Sequence, residues 1–548
     1  NTGSASKAEA VGIGNGTEFS YAEVGFARLS FYNKGETWIE FYAYENEKFK
    51  RIYHKKLTSV LTEYDHEEID FKPVDTSHIS RTVSKEKMTK GSVGQFFLGR
   101  LHSELYDIPL RAKVVYLDTI VGGLTPIKRG GGFTTNSLRL SDSSGRDWVM
   151  RGVEKDHSRL FPKELSNEFT DKLTSYFLTS GHPLSAYTIP PMASAIGILH
   201  TNPKLIYLPK QKSLGEFNED HGDRLYLFED RPDDNRSDRD NFGNSTKIIS
   251  TSDMLEEMHD DGKHRPRQDL VIRNRLFDMI LGDWDRHGDQ WRWARFEGDN
   301  NSKSYIPIPR DRDQAYARFD GALISIARNL SPEIAKLSYF DHDLKNITSF
   351  NYNARYFDRS FLNELTWSDW EHEIIHIQKF LTDSIIHLGM KQMQENVYQM
   401  HGAEFESILM SRRNNLKTFA YDYYLSLAHT VSVQASNEDD IIQIVLSEDK
   451  LKLTISEFSK RDSSIYTYYN RVFQDEETHE IRIYGLDGDD IFESSGTGSD
   501  IIIRMIGGTD DDNFDISSIY GNNHIYDSKL NTKISGDGKY KSHLKRFK

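Results

Sequence analysis

Apolar and polar residues alternate along Phe26–Tyr32 and again along Thr37–Tyr42, on either side of Asn33-Lys34-Gly35-Glu36, which predicts a β-hairpin. Two strands cannot hold themselves together, so the hairpin is expected to add to another sheet. Residues 61–121 read as a polar connector with some helix. From Gly122 the pattern changes. A loop through Gly130, Gly131 and Gly132 precedes strand-like Ser137–Leu140, a Ser-Ser-Gly turn and strand-like Trp148–Val153. A helical period then runs over 163–180, with Leu165, Phe169, Leu173, Tyr176 and Phe177 near one face. Lys204–Leu208 and Arg224–Phe228 predict short strands, and residues 230–245 predict an exposed loop.

Helical spacing returns at 266–281 through Leu270, Ile272, Leu276, Met279 and Ile280, and stops just before Gly282. Ser368-Asp369-Trp370-Glu371 matches a capping box, opening a helix with Ile374, Ile377, Leu381 and Ile385 on one stripe. Residues 403–428 predict one long helix. Beyond 430 short strands prevail, at Ile441–Leu446, Lys450–Ile455 and Glu480–Tyr484. The expected fold class is α+β. It has a hairpin within 1–60, a connector at 61–121, a two-lobed unit at 122–428, a β-rich domain at 429–535 and a basic tail at 536–548.

A length of 548 residues exceeds one core, so several domains are expected. No run of eighteen apolar residues exists to form a membrane-spanning helix. A net charge of -15 argues against nucleic acid as the main partner. With no cysteine, disulfides, thiolate metal sites and a cysteine nucleophile are excluded. The chain opens at Asn1 without a charged-then-apolar leader, and reads as processed or as a piece of something longer. Its basic end is either a solvated terminus or a juncture with a membrane surface or a following domain.

The densest chemistry lies in Gly282-Asp283-Trp284-Asp285-Arg286-His287-Gly288-Asp289-Gln290 and in Asp311-Arg312-Asp313, which follows the apolar run Tyr305–Pro309. Phosphoryl transfer needs donors around phosphates, carboxylates for metal ions, and a group beside the acceptor hydroxyl. The chain offers these in kinase order. Backbone N–H groups of Gly130, Gly131 and Gly132 could cradle phosphate. Arg151 or Lys155 could reach it, oriented by Glu164 or Glu168. Asp285 and His287 would act on the acceptor, with Gln290, Asp311 and Asp313 holding Mg²⁺. An inert, solvated Asp/Arg network is the competing reading. As a calcium loop the cluster would need a carboxylate where Ala294 stands. No G-x-S-x-G elbow or Gly-Asn-His-Asp/Glu run is present. Gly485–Phe492 and Gly507–Phe514 approximate the calcium-binding nonapeptide, which makes Asp490 and Asp512 candidate Ca²⁺ ligands. Their separation of twenty-two residues, neither nine nor eighteen, argues against a solenoid.

Asp285-Arg286-His287 with Gln290, then Ile306–Asp313, resembles the atypical kinases of the CotH and HipA type. That resemblance implies a kinase-like two-lobed domain with ATP and Mg²⁺, Asp285 as base and Asp311 as principal metal ligand. Gln290 stands where those kinases carry Asn. Over nearly its whole length the chain also resembles the central region of Bacteroidetes-type cell-envelope proteins. The matching runs are Gly130–Gly132, Ser137–Leu140, His200–Lys204, Leu227–Pro232, Leu281–Trp293 and Gly485–Asp490. Those proteins join a calcineurin-like metallophosphoesterase to a surface-antigen-type outer-membrane β-barrel. The resemblance implies a place in the cell envelope, periplasm or outer-membrane surface, with Gly25–Tyr42 as the phosphoesterase's last hairpin. It leaves open two further roles: a non-catalytic scaffold between barrel and phosphoesterase, and an accessory region of a phosphoester hydrolase.

Overall fold

The computed structural model describes residues 25–31, 37–45, 48–57, 74, 76–130, 135–155, 176–329, 332–459, 464–517, 523–528 and 532–545. The chain forms two units, residues 1–73 and 74–548. The first is a meander of β1 (Gly25–Phe31), β2 (Thr37–Glu45) and β3 (Lys48–Leu57). Gly25 pairs with Ala43 and Phe31 with Thr37, which is the expected hairpin, and β3 adds a strand to it.

The larger unit opens with a seven-stranded sheet. Its strands are β4 (His78–Thr82), β5 (Pro109–Val114), β6 (Leu124–Gly130), β7 (Thr135–Asp142), β8 (Asp147–Lys155), β9 (Lys204–Leu208) and β10 (Arg224–Asp230). They run in the order β4-β5-β9-β10-β8-β7-β6. The expected connector therefore supplies two strands, and the sheet begins well before Gly122. β4 carries no apolar alternation because it lies at the sheet edge with four of its five residues exposed. Helix α1 (Ser185–Ala195) packs behind the sheet, burying Ile189, Met192 and Ala193. The helix expected over 163–180 lies mostly outside the described residues.

A second sheet follows, ordered β11 (Lys247–Ser250), β13 (Trp291–Glu297), β14 (Lys303–Pro309), β12 (His264–Pro266). Around it lie α2 (Thr251–Asp260), α3 (Gln268–Leu281), α4 (Arg355–Phe361), α5 (Trp367–Phe380), α6 (Asp383–Met390), α7 (Ala403–Asn414) and α8 (Leu416–Ala428). α3 is buried along nearly its whole length, and Trp291 stacks on Phe357 with ring centroids 4.7 Å apart. Two expectations are corrected. The capping box of α5 is made by Thr366 and Asp369, not by Ser368 and Glu371, because the helix already starts at Trp367. The helix expected over 403–428 breaks at Asn415 into α7 and α8.

The C-terminal region is a solenoid, contrary to the expectation from sequence. Its strands are β15 (Thr430–Gln434), β16 (Asp440–Ser447), β17 (Lys450–Ser459), β18 (Ser464–Gln474), β19 (Glu480–Leu486), β20 (Ile491–Gly496), β21 (Ile502–Gly508), β22 (Asn513–Ile516), β23 (Asn523–Ser528), β24 (Lys533–Ser535) and β25 (Lys541–Lys545). From β19 onward the chain alternates between two sheets, and all neighbours pair in parallel: β15-β19-β21-β23-β25 in one, β16-β20-β22-β24 in the other. The twenty-two-residue spacing is one such coil, since Ile491 pairs with Asn513 and Glu480 with Ile502. Phe492 and Phe514 stack inside it at 4.6 Å. Lys541–Lys545, expected in a basic tail, form the last strand.

The acidic turns of this solenoid stack as well. The Asp440 N–H donates to Asp490 Oδ1 at 2.9 Å, and the Asp490 N–H to Asp512 Oδ1 at 3.2 Å. The other carboxylate oxygens, Asp490 Oδ2 and Asp512 Oδ2, are buried without a partner. They occupy the space that a Cβ on Gly485 or Gly507 would fill. Burial, with neighbouring carboxylates adding to it, pushes Asp490 up to about 9 and Asp512 up to about 7. Burial also pushes Asp440 up to about 6.

An unfolded carboxyl titrates near 4, so above that pH the unfolded chain releases protons that the solenoid keeps. Stability of this region therefore falls as pH rises from about 4 to about 9. Asp490→Asn removes the steepest part of that dependence. It is expected to raise the solenoid's melting transition at pH 8 by roughly 2–4 °C and to leave it nearly unchanged at pH 4, read by circular dichroism.

Candidate functional site

The site grows out of the end of α3. Gly282, at φ 69°, closes the helix by donating its N–H to the Asp278 and Met279 carbonyls, a left-handed cap that favours glycine. The chain then runs through Asp283–Gln290 into β13, turns into β14 and leaves as Arg310–Asp313. Neighbouring residues in these two exits differ in burial. Asp283, Arg286 and Arg312 are buried. Asp285, His287, Asp311 and Asp313 stay partly open.

The buried set forms one network around Asp278. Arg312 bonds Asp278 directly, and its NH1 also lies 3.3 Å from Asp283 Oδ2. Arg286 Nε lies 3.4 Å and Arg275 NH1 2.5 Å from Asp278 Oδ2. Arg275 reaches on to Asp358 at 2.8 Å and Asn351 at 2.6 Å, and Tyr423 donates to Asp358. Burial alone would raise Asp278, but the Arg312, Arg286 and Arg275 charges outweigh it and hold this carboxyl below its usual range. Asp283, with weaker contacts, is pushed by burial up to about 7. Half of the sequence cluster is thus a buried ion-pair network and half is partly exposed.

Of the four partly open residues, Asp311 and Asp313 line a cleft between the seven-stranded sheet, α1 and the segment after β14, and Asp285 and His287 do not. The cleft is narrow, with a cavity volume of about 40 Å³, and opens to solvent. Val153, Ala186, Ile189, Ala193, Ile198 and Leu227 give it an apolar wall. Arg151, Glu229, Asp311 and Asp313 give it a charged end. Arg151 Nε donates to Glu229 Oε1 at 2.9 Å and its NH1 to Asp311 Oδ2 at 3.0 Å. One guanidinium on β8 therefore ties a carboxylate on β10 to the carboxylate after β14. Asp311 holds a left-handed backbone, φ 53°, which Asp tolerates better than most side chains.

Asp285 accepts a hydrogen bond from Asn353 Nδ2 at 2.6 Å, and Asn353 Oδ1 accepts one from Lys336 Nζ at 2.7 Å. The Gln290 amide nitrogen lies 3.4 Å from His287 Nε2, and neither side chain lines the cleft that holds Asp311 and Asp313. Gly130 ends β6. Gly131, Gly132, Glu164 and Glu168 lie outside the described residues, as does the side chain of Lys155. Asp490 and Asp512 belong to the solenoid and do not line the cleft. Among the described residues no three His, Asp or Glu side chains are arranged to hold a metal ion.

Sequence reasoning missed Glu229 and Asn353. A carboxylate directly after the apolar Leu225–Phe228 run, within the same strand, was a visible signal for the first, since a 5 % exposed charge requires a partner. Asn353 had none, sitting in a polar stretch 68 residues from its partner.

No protein-family model and no curated protein matches the chain. Among solved structures it is similar to a proinflammatory kinase of Helicobacter pylori, CtkA, at 14% identity over 56% of this chain and 96% of that one, with a TM-score of 0.26. It is also similar to the Rio2 kinase of Chaetomium thermophilum, solved as an ADP/Mg²⁺-phosphoaspartate complex, at 11% identity over 53% and 71%, with a TM-score of 0.26. Both likenesses are too slight to assign a function.

The division of the cluster has a measurable consequence. Asp283→Ala leaves Arg286 and Arg312 short of a buried counter-charge and is expected to cost about 3–5 kcal/mol in urea unfolding. Asp285→Asn, partly open to solvent, is expected to change stability by no more than about 1 kcal/mol. Equal effects would mean that the two carboxylates are not separated by burial.

Proposed function

We propose that the cleft binds a nucleotide with Mg²⁺ and transfers a phosphoryl group from it to an acceptor hydroxyl. The observation that carries this reading is the bridge of Arg151 between Glu229 and Asp311, at the charged end of a cleft with an apolar wall. The apolar wall suits a base, and Arg151, preset by Glu229, suits the phosphates. Asp311 and Asp313 offer two hard carboxylates, which fit an ion that takes its remaining ligands from phosphate and water. When bound, Mg²⁺ would neutralise charge on the transferred phosphoryl group. Asp285, oriented by Asn353, is the group assigned to the acceptor hydroxyl.

A non-catalytic scaffold between an outer-membrane barrel and a metallophosphoesterase is the second reading. The pairing of Gln290 with His287, outside the cleft lining, favours it. A place in the cell envelope is a proposal that rests on the sequence resemblance alone. A Ca²⁺ ion held by Asp490 and Asp512 is a separate proposal, resting on their buried open oxygens.

Thermal unfolding with ATP or ADP, each with Mg²⁺ or Mn²⁺, tests the nucleotide site. A ligand at 100 times its Kd stabilises the native state by about 2.7 kcal/mol, so a metal-dependent rise in midpoint is expected. Asp311→Asn, which keeps a side chain tolerant of the left-handed backbone, is expected to abolish the rise. Arg151→Ala is expected to weaken nucleotide binding roughly 10- to 100-fold. No shift at millimolar nucleotide would leave the scaffold.

A further inference from the structure

Five arginines converge beside the cleft. Register puts Arg139 opposite Val149 and Leu227 opposite Arg151, with Glu229 also opposite Val149. Directly paired residues share a face, so Arg139, Arg151 and Glu229 stand on one side of the seven-stranded sheet. Arg231 follows β10 and donates its backbone N–H to the Asp147 carbonyl, at the end of the same face. Arg292 and Arg310 come from β13 and the exit of β14, where Arg292 pairs with Ile308.

These charges are poorly matched. Asp147 is shared by Arg139 at 3.7 Å and Arg231 at 3.1 Å, Asp233 also meets Arg231, and Glu229 and Asp311 are taken by Arg151. Among the described residues no carboxylate lies within ion-pairing distance of Arg292 or Arg310. Asp289 and Asp311 act on them only from farther off. Arg151 NH2, Arg292 Nε and Arg310 Nε are shielded from solvent with no hydrogen-bond acceptor. Burial lowers Arg231 to about 10, and the charges of Arg139 and Arg292 add to that. Burial likewise lowers Arg310, with Arg151, Arg292 and Arg231 adding to it. Shielded guanidinium donors from three separate elements, close enough to repel one another and short of anions, suit an oxyanion.

We propose that Arg139, Arg231, Arg292 and Arg310, bordered by Arg151, hold a phosphate monoester carried by the acceptor, beside the nucleotide cleft. This rests on the phosphotransferase reading, since Arg151 and Asp311 join the two places. The acceptor is then an already phosphorylated molecule that carries a second, free hydroxyl.

The test is titration of the purified chain with inorganic phosphate against chloride at matched ionic strength. It is followed by calorimetry and thermal unfolding, with and without saturating Mg²⁺ and AMP-PNP. Saturable phosphate binding that persists with AMP-PNP bound is expected. Arg310→Gln and, independently, Arg292→Gln are expected to weaken it roughly 10- to 100-fold. Without phosphate, Arg310→Gln is expected to leave the midpoint unchanged or raised, because it removes a charge crowded by like charges. Competition between phosphate and AMP-PNP overturns the proposal, because the arginines then serve the nucleotide. So does an absence of phosphate binding, or a lower midpoint in both variants with the phosphate response intact. Phosphate binding in a chain that binds no nucleotide removes the phosphotransferase reading, and the acceptor assignment with it.

Discussion

The arrangement of the larger unit depends on the carboxylate of Asp278. It sits in the last turn of α3 and is shared by Arg275, Arg286 and Arg312, none of which is more than 7 % exposed. Three cations on one buried anion would be unfavourable if it stood alone. Asp283 and Asp358 complete the balance, and Arg286 spends a further donor on the Arg310 carbonyl at 2.7 Å. Breaking such a set by removing one member is costly because the rest remain buried and charged. That cost fixes the loop after α3 and the loop after β14 against each other. Asp285 is next to Arg286, and Asp311 and Asp313 flank Arg312. The residues offered to a ligand are therefore positioned by neighbours that point the other way. The left-handed backbone at Asp311 is sustained by the same anchoring, since Arg310 is held through its carbonyl and Arg312 through its side chain.

Much of this fold can be read from periodicity. The strands β7 to β10, β14, β16, β17 and β19 and the helix α3 fall where apolar runs, alternation or helical spacing put them, because each is buried on one face or on both. β4 could not be read this way, because an exposed edge strand needs no apolar face. The solenoid was missed for a different reason. Its coil was compared with a nonapeptide repeat, whereas a coil of two strands and two turns has its own length, and only the pairing of Ile441 with Ile491 and Ile491 with Asn513 shows the stacking. In the site, the sequence places Asp283, Asp285, Asp311 and Asp313 together but cannot separate network from cleft. That separation is set by which residues of an irregular loop turn inward, a tertiary property. The Arg151–Glu229 bridge joins residues 78 apart and needs the β8·β10 pairing to exist.

The two unusual charge clusters of this chain answer the same physical problem in opposite ways. In the solenoid, Asp440, Asp490 and Asp512 are stacked where like charges would repel at close range. Burial and mutual repulsion both disfavour the ionised form, and a carboxyl group can respond by keeping its proton. Without a cation the stack relieves its repulsion by keeping protons, which is why its stability is tied to pH. Arginine has no such route. Its guanidinium remains protonated across the accessible pH range, even at Arg231 where burial brings it to about 10. Arg292 and Arg310 therefore cannot relieve their crowding by titration. Relief has to come as a counter-anion, from the chain or from a ligand. The described residues supply Asp147, Asp233, Glu229 and Asp311 to Arg139, Arg231 and Arg151, and no ion-pairing carboxylate to the other two. An acidic chain of net charge -15 has carboxylates to spare, so the shortage at this one place is local, and it lies beside the cleft where a phosphate-bearing substrate would enter.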